Sequence, residues 1–286
     1  MEIVPVPDFF RPAAEKPYPA HQGGPLIEQF ADAYFRANPA RTGRAYLPVF
    51  WTDYHVSIGG TGGVTNLQYF INTLKYRNPG RKYWTVCQLD GGTLVPDPDI
   101  LVFAAGGNNY FDIPIPLLCS PHPVAPQDSE KKYLASFIGK DTHPVRADLF
   151  RLFAGNPDYA IFISSGNVPL FRSLMHQSKF ALCPQGRCPA TFRLYEAIQM
   201  GVVPVYISDH FWLPFENKAD WKSFCVFVKS SEIGSIDSVL RGISDEEYAE
   251  MKRNLKEVHE RFFTLEKTCG MIAGILEDEG SAGIDK

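Results

Sequence analysis

Apolar and polar positions along this chain switch repeatedly between a helical and an extended rhythm. Leu26, Ile27, Phe30, Ala33 and Tyr34 recur at helical spacing up to Asn38-Pro39, which predicts a helix over 26–35. An apolar run over 45–51 reads as a buried strand, followed by a helix over 64–76 and strands over 82–87 and 100–105. Each strand enters a polar or glycine-rich loop: Thr52-Asp53-Tyr54-His55 with Gly59-Gly60-Thr61-Gly62-Gly63, then Asp90-Gly91-Gly92, then Gly106-Gly107-Asn108-Asn109. The rhythm returns with strands over 132–138, 159–163, 180–183 and 202–208. Helices over 145–153 and 190–200 lie between them, the second closed by Gly201. Ser244-Asp-Glu-Glu247 is a capping box that opens a long amphipathic helix, with Tyr248, Met251, Leu255, Val258 and Phe262 on one face.

Strands alternating with helices predict an α/β chain with parallel sheets, whose ligands gather at the carboxyl ends of the strands. The proline-rich stretch 120–126 lies near a boundary, giving an N-terminal domain over 1–130 and a C-terminal domain over 131–286. Pro5, Pro7, Pro12, Pro17, Pro19 and Pro25 exclude a regular helix at the start and predict an arm laid over the surface.

Composition narrows the function. Among 286 residues, 28 basic against 32 acidic side chains give a net charge of −4, which argues against a nucleic-acid binder with a broad basic surface. Aromatics at 13% argue against disorder. The chain has no apolar run of about 20 residues to span a membrane, and its first residues lack a signal peptide's basic start and apolar core. A soluble, cytoplasmic protein is the expectation. Six largely scattered cysteines do not form a disulfide framework.

The segment 180–205 carries the chemistry. It reads as strand, glycine-containing loop, helix, glycine cap and strand, and such a helix aims its N–H groups and positive dipole end at a ligand. Arg187 and Arg193 add full charges, so an anion, most naturally a diphosphate, is the occupant. Glu196, three residues beyond Arg193, suits the two hydroxyls of a ribose. The same spacing also suits an ordinary i, i+3 surface ion pair. Arg193 sits where a cation opposes the helix dipole, which predicts that its removal leaves the unliganded fold nearly as stable.

This segment resembles the exostosin family of glycosyltransferases (family 47), in which a Cys-Pro-Arg-Gly loop, a Ser/Thr-Phe-Arg turn and a Glu-Ala helix precede a Gly-x-x-Pro-Val strand. Cys183-Pro-Gln-Gly186, Thr191-Phe-Arg193, Glu196-Ala197 and Gly201-Val-Val-Pro-Val205 carry the likeness. It continues through Ile207-Ser-Asp209, Leu213-Pro-Phe215 and Asp220-Trp221. Upstream, Tyr110-Phe-Asp112 with Ile115-Pro116, and Phe137-Ile-Gly139 with Arg146, look like two further family blocks. The resemblance implies a GT-B fold, two Rossmann-like domains facing across a cleft, and inverting transfer from a UDP-sugar to a glycan or glycoprotein. It also implies donor binding by Gly186, Arg187, Thr191, Arg193 and Glu196, with Arg146 reaching the diphosphate. Gln185 departs from the family's usual Arg, and the family's membrane anchor and stem are not found here. No cofactor is required if these cations stabilise the leaving UDP. Phe211 and Trp212 favour xylose as the donor sugar by closing the space beyond C5.

Other motifs read blandly. Asp97-Pro-Asp99 precedes its strand and is a turn rather than a metal motif. The histidines show no metal-ligand spacing, and the 59–63 glycines lack the Lys-Ser/Thr of a P-loop. That cluster suits either close approach of backbone to a sugar or a flexible turn. Candidates for the base that takes the acceptor's proton are Asp53 and His55, then Asp90, then Asp112. The rival reading is a non-catalytic glycan- or nucleotide-binding protein on the same fold.

Overall fold

The short strand Ala45–Tyr46 (β1) pairs in parallel with Tyr83–Cys87 (β2), β2 with Ile100–Ala104 (β3), and β3 with Ile113–Pro114 (β4). The computed structural model describes residues 1–12, 25–58, 63–107, 112–119, 121–124, 130–164 and 167–282. It divides into two units, Met1–Ile115 with Leu265–Lys286, and Pro116–Thr264. The division therefore falls after Ile115, and not at residue 130 as the proline-rich stretch suggested. The glycines at 59–62 and the family-like Tyr110 and Phe111 lie outside the described residues.

The first unit's core is aromatic. Trp84 of β2 stacks on Tyr46 at 4.3 Å and meets Phe35 and Phe103 edge-on at 4.8 and 5.9 Å. Phe35 comes from the predicted helix, observed as Ile27–Ala37 (α1); Val64–Arg77 (α3) likewise follows its pattern. The predicted strand over 45–51 is corrected. It stops at Tyr46 because Pro48 has no N–H for the ladder, and Trp51–Ile58 (α2) is helical instead. The opening residues are more than a surface arm: Ile3 bridges to Tyr46, and Val4 and Phe10 are buried.

Glu28 of α1 ties three elements of this unit together. It is fully buried and accepts from Gln88 N at 2.8 Å, Thr52 N at 3.1 Å and the Thr52 hydroxyl at 2.9 Å. Burial pushes its carboxyl up to about 8, although these donors pull it down. The group is therefore protonated at neutral pH. Its contribution to stability is full below the unfolded carboxyl range and is lost as pH rises through about 8. Glu28→Ala leaves two buried N–H groups unpaired and should cost on the order of 3 kcal/mol. Glu28→Gln copies the neutral acid and should remain near wild type; denaturant melts at pH 7 check both.

The second unit holds the sheet order β6-β5-β7-β8-β9, all parallel: Tyr133–Gly139 (β5), Tyr159–Ile163 (β6), Ser178–Pro184 (β7), Val203–Ile207 (β8) and Val226–Val228 (β9). Pro144–Phe153 (α4) packs Val145, Leu149 and Phe153 against Phe137, Tyr159 and Phe180. Val168–His176 (α5), Phe192–Met200 (α6), Ile236–Gly242 (α7) and Asp245–Phe262 (α8) complete it. The Ser244 capping box is formed, and Gly201 ends α6 with φ 70°, where a side chain would be strained.

The sequence pattern did not foresee α5, α7, β9 or a last helix, Leu265–Ala282 (α9), which belongs to the first unit. Thr268, Cys269, Ile272 and Leu276 are its buried stripe, and Arg44 holds Glu279 at 2.8 Å. Two parallel α/β units agree with the GT-B expectation. Among the described residues no helix is long and apolar enough to cross a membrane.

Candidate active site

In the second unit, the chain passes from β5 to β6 on one side and then crosses through α5 to β7 on the other side of β5. That reversal is a topological switch point, the place where open α/β sheets bind their ligands, and it lies between the loops leaving the carboxyl ends of β5 and β7. The 185–191 loop and the N-terminus of α6 follow β7, so the segment singled out from sequence lies at this switch.

Arg146 of α4 is buried against this loop. Its Nε donates to Gln185 O at 3.0 Å, Nη1 to Lys140 O at 2.9 Å and Nη2 to Pro184 O at 3.1 Å. A guanidinium so committed braces the two loops. Burial, with the nearby Arg193 charge, lowers it to about 10, so it remains a cation. Gly186 is required by close approach: a Cβ there would lie 3.0 Å from Arg146 Nη2 and 3.2 Å from Thr142 Oγ1. Gln185, where the resemblance expects Arg, is buried, with its side chain 2.9 Å from His143 Nε2 and 2.7 Å from Ser208 Oγ. It ties the start of α4 to the end of β8. Arg187 is exposed on the loop.

Thr191 is the N-cap of α6, but its side chain makes no capping bond. Arg193, in the first turn, lies over the Phe171 ring at 4.3 Å and the Phe137 ring at 5.5 Å. Arg146 shares the Phe137 ring at 5.4 Å. Arg193 Nε donates to Glu196 Oε2 at 3.0 Å, and its Nη1 is buried with no hydrogen-bond partner among the described residues. The pair is therefore a largely enclosed one and not a surface bridge. Burial pushes the Glu196 carboxyl up, but Arg193 and His122 outweigh it and hold it below the usual range.

His122 is the residue sequence reasoning missed. Its Nε2 lies 3.5 Å from Glu196 Oε1, and donor atoms of Cys119, His122 and Glu196 fall within 4.8 Å of one another. Cys119-x2-His122 was the only local signal, since Glu196 is far away in sequence. His122 Nδ1 accepts from Arg172 Nε at 3.2 Å, so the ring proton sits on Nε2. That nitrogen faces Glu196 as a donor. Burial, with the Glu196 charge, pushes the Cys119 thiol well up.

The proposed bases lie in the first unit. Asp53 and His55 are on α2, two residues apart and therefore on different faces, which corrects their placement at a strand exit. Asp53 is buried and accepts from Gln29, and burial raises its carboxyl; His55 is exposed. Asp90 is half-buried in the turn after β2. Asp112, just before β4, is buried, and burial raises it to about 6. A Cβ on Gly92 would lie 3.7 Å from its Oδ2, so the loop after β2 reaches it.

Residues 80–243, more than half of the chain, match the family model of the Exostosin GT47 domain. The chain belongs to the exostosin GT47 family. A "probable glycosyltransferase" of Arabidopsis thaliana is 31% identical over 166 residues, 58% of this chain and 33% of that protein. A "probable glucuronosyltransferase" of Oryza sativa subsp. japonica is 37% identical over 98 residues, 34% and 23% of the two chains. Exostosin-1 of Drosophila melanogaster is 32% identical over 93 residues, 32% and 12%. The chain thus spans about a third or less of the length of these relatives. Among solved structures, TarM superposes with a TM-score of 0.44 at 8% identity, covering 86% of this chain and 57% of that one. Within this exostosin chain Asp97-Pro-Asp99 is a turn, held by Lys75 and Lys82.

Proposed function

We propose that this exostosin-family chain is an inverting glycosyltransferase that moves a sugar from a UDP-sugar to a hydroxyl of a glycan or glycoprotein, without a metal ion. The observation that carries it is the charge at the switch point. Arg146 and Arg193 share the Phe137 ring there, Glu196 pairs with Arg193, and the N-cap Thr191 makes no side-chain capping bond at the start of α6. A diphosphate supplies the missing negative charge, and Glu196 takes the ribose hydroxyls. In the reaction the acceptor oxygen attacks the anomeric carbon, the bond to the β-phosphate oxygen breaks, and UDP leaves with the electron pair. The acceptor's proton passes to a carboxylate, for which Asp112 is best suited.

Phe211 packs on Tyr206 and Phe227 at 5.3 and 5.0 Å, and Trp212 is buried. These rings serve the local core, so xylose gains no support from them. A panel of UDP-xylose, UDP-galactose, UDP-arabinose and UDP-glucuronic acid is the appropriate test, the last because several relatives are named glucuronosyltransferases. One donor should raise the melting temperature by mass action and be consumed in excess EDTA. Complete loss with EDTA that added metal restores would overturn the metal-free mechanism. Binding without transfer or hydrolysis of any donor would leave the non-catalytic binding protein.

A further inference from the structure

We propose that His122 is a positioning residue for the donor site, holding the Glu196 carboxylate in the orientation that receives the ribose hydroxyls. This rests on the reading of Glu196 as the ribose ligand. A carboxylate at the start of a helix rotates unless both oxygens are fixed. Arg193 fixes Oε2 at 3.0 Å, and His122 Nε2 is the group facing Oε1, at 3.5 Å. Each oxygen then keeps a lone pair for a ligand hydroxyl.

His122 is itself held from several sides. Its backbone N donates to Gln199 Oε1 at 2.6 Å, one turn beyond Glu196 on α6. Its ring meets Phe171 edge-on at 5.4 Å, and Arg172 of α5 donates to Nδ1. The Arg172 bond sets the tautomer, because an Nδ1 that accepts leaves the proton on Nε2. The side chain is only 2% exposed, and Nε2 has no nearer partner than Glu196 among the described residues. A buried N–H left without a full bond is costly. Its retention here is accounted for if it completes that bond once a ligand draws the carboxylate into place. Phe171 and Arg172 are adjacent on α5, so one helix carries both the ring that supports Arg193 and the donor that orients His122.

The test is calorimetry with UDP alone, on wild type, His122→Gln, His122→Asn, Glu196→Gln and the His122→Asn/Glu196→Gln pair. The Gln amide reaches the position of Nε2 and keeps a donor to Glu196, whereas the shorter Asn amide does not. His122→Asn should weaken UDP about 5- to 10-fold and His122→Gln about 2-fold or less, in line with one hydrogen bond to a charged group. At saturating donor, kcat should stay within about 3-fold of wild type, the loss appearing in KM. The double variant should bind no more weakly than Glu196→Gln, because His122 acts only through that carboxylate. Multiplying losses in the double variant, or equal behaviour of the Gln and Asn variants, would overturn the proposal. Unchanged affinity in Glu196→Gln would instead remove the ribose reading beneath it. Circular dichroism confirms that each variant is folded, and the Gln–Asn comparison holds at matched stability.

Discussion

Asp112→Asn is expected to reduce kcat on the order of 100- to 10,000-fold, the range for losing a general base, while leaving UDP affinity unchanged. The amide keeps the shape of the carboxyl but cannot take a proton. Burial raises Asp112 to about 6, so it is ionised at neutral pH yet basic enough to accept a proton as the acceptor oxygen attacks. Rate should therefore rise with pH through about 6 and then level off. Stability moves the opposite way. A carboxyl raised on folding contributes fully below its unfolded range, and that contribution is lost as pH rises through about 6. The Asn variant, carrying no charge to bury, should melt no lower than wild type at pH 7. Asp53→Asn and His55→Ala should retain turnover within about 3-fold, because Asp53 is engaged by Gln29 and His55 lies exposed on another face of α2. Steady-state kinetics on the three variants decide the matter, and an Asp112→Asn enzyme at wild-type rate would return the role to another carboxylate.

The difference between these candidates was not visible in the sequence. A run of apolar residues over 45–51 has the signature of a strand, and Pro48 was the sign that the ladder stops there. Once Trp51 opens a helix, Asp53 turns inward to Gln29 and His55 outward to solvent. The segment from β7 to β8 was legible because its local rules agree: an apolar strand, a loop whose glycine is needed for close packing, and a helix ended by Gly201 in a left-handed conformation. The helix α9 was hidden by Gly270 and Gly274, which weaken a helical pattern, although Cys269, Ile272 and Leu276 keep its spacing. Partners of charges were the least legible. Arg146 reads as a phosphate ligand by type, yet its donors go to backbone carbonyls, and nothing local to Glu196 points to His122.

Arg193→Ala is expected to lower kcat/KM on the order of 100- to 1,000-fold, the effect of removing one donor aimed at developing charge. It should also abolish most of the melting shift that UDP confers. The sequence alone predicted an unliganded protein of nearly unchanged stability, since a cation opposes the dipole at a helix start. The structure reverses that expectation. Arg193 lies on the Phe171 ring and is the closest cation to Glu196, whose side chain is only 10% exposed. Its loss leaves a buried carboxylate short of its counter-charge, the situation that costs about 3–5 kcal/mol when a buried pair is broken. The unliganded variant should therefore melt well below wild type. Glu196 is held below its ordinary range in the folded protein, so the stability it contributes is present at neutral pH and disappears as pH falls through the acid range. The deficit of Arg193→Ala should shrink over the same interval. Adding Glu196→Gln removes the stranded charge and should recover part of the melting temperature at pH 7 without recovering the UDP shift. Thermal melts of the single and double variants, with and without UDP, separate the two roles. If the UDP shift survives in Arg193→Ala while stability falls, Arg193 supports the fold alone, and the diphosphate is held by the 185–191 loop without it.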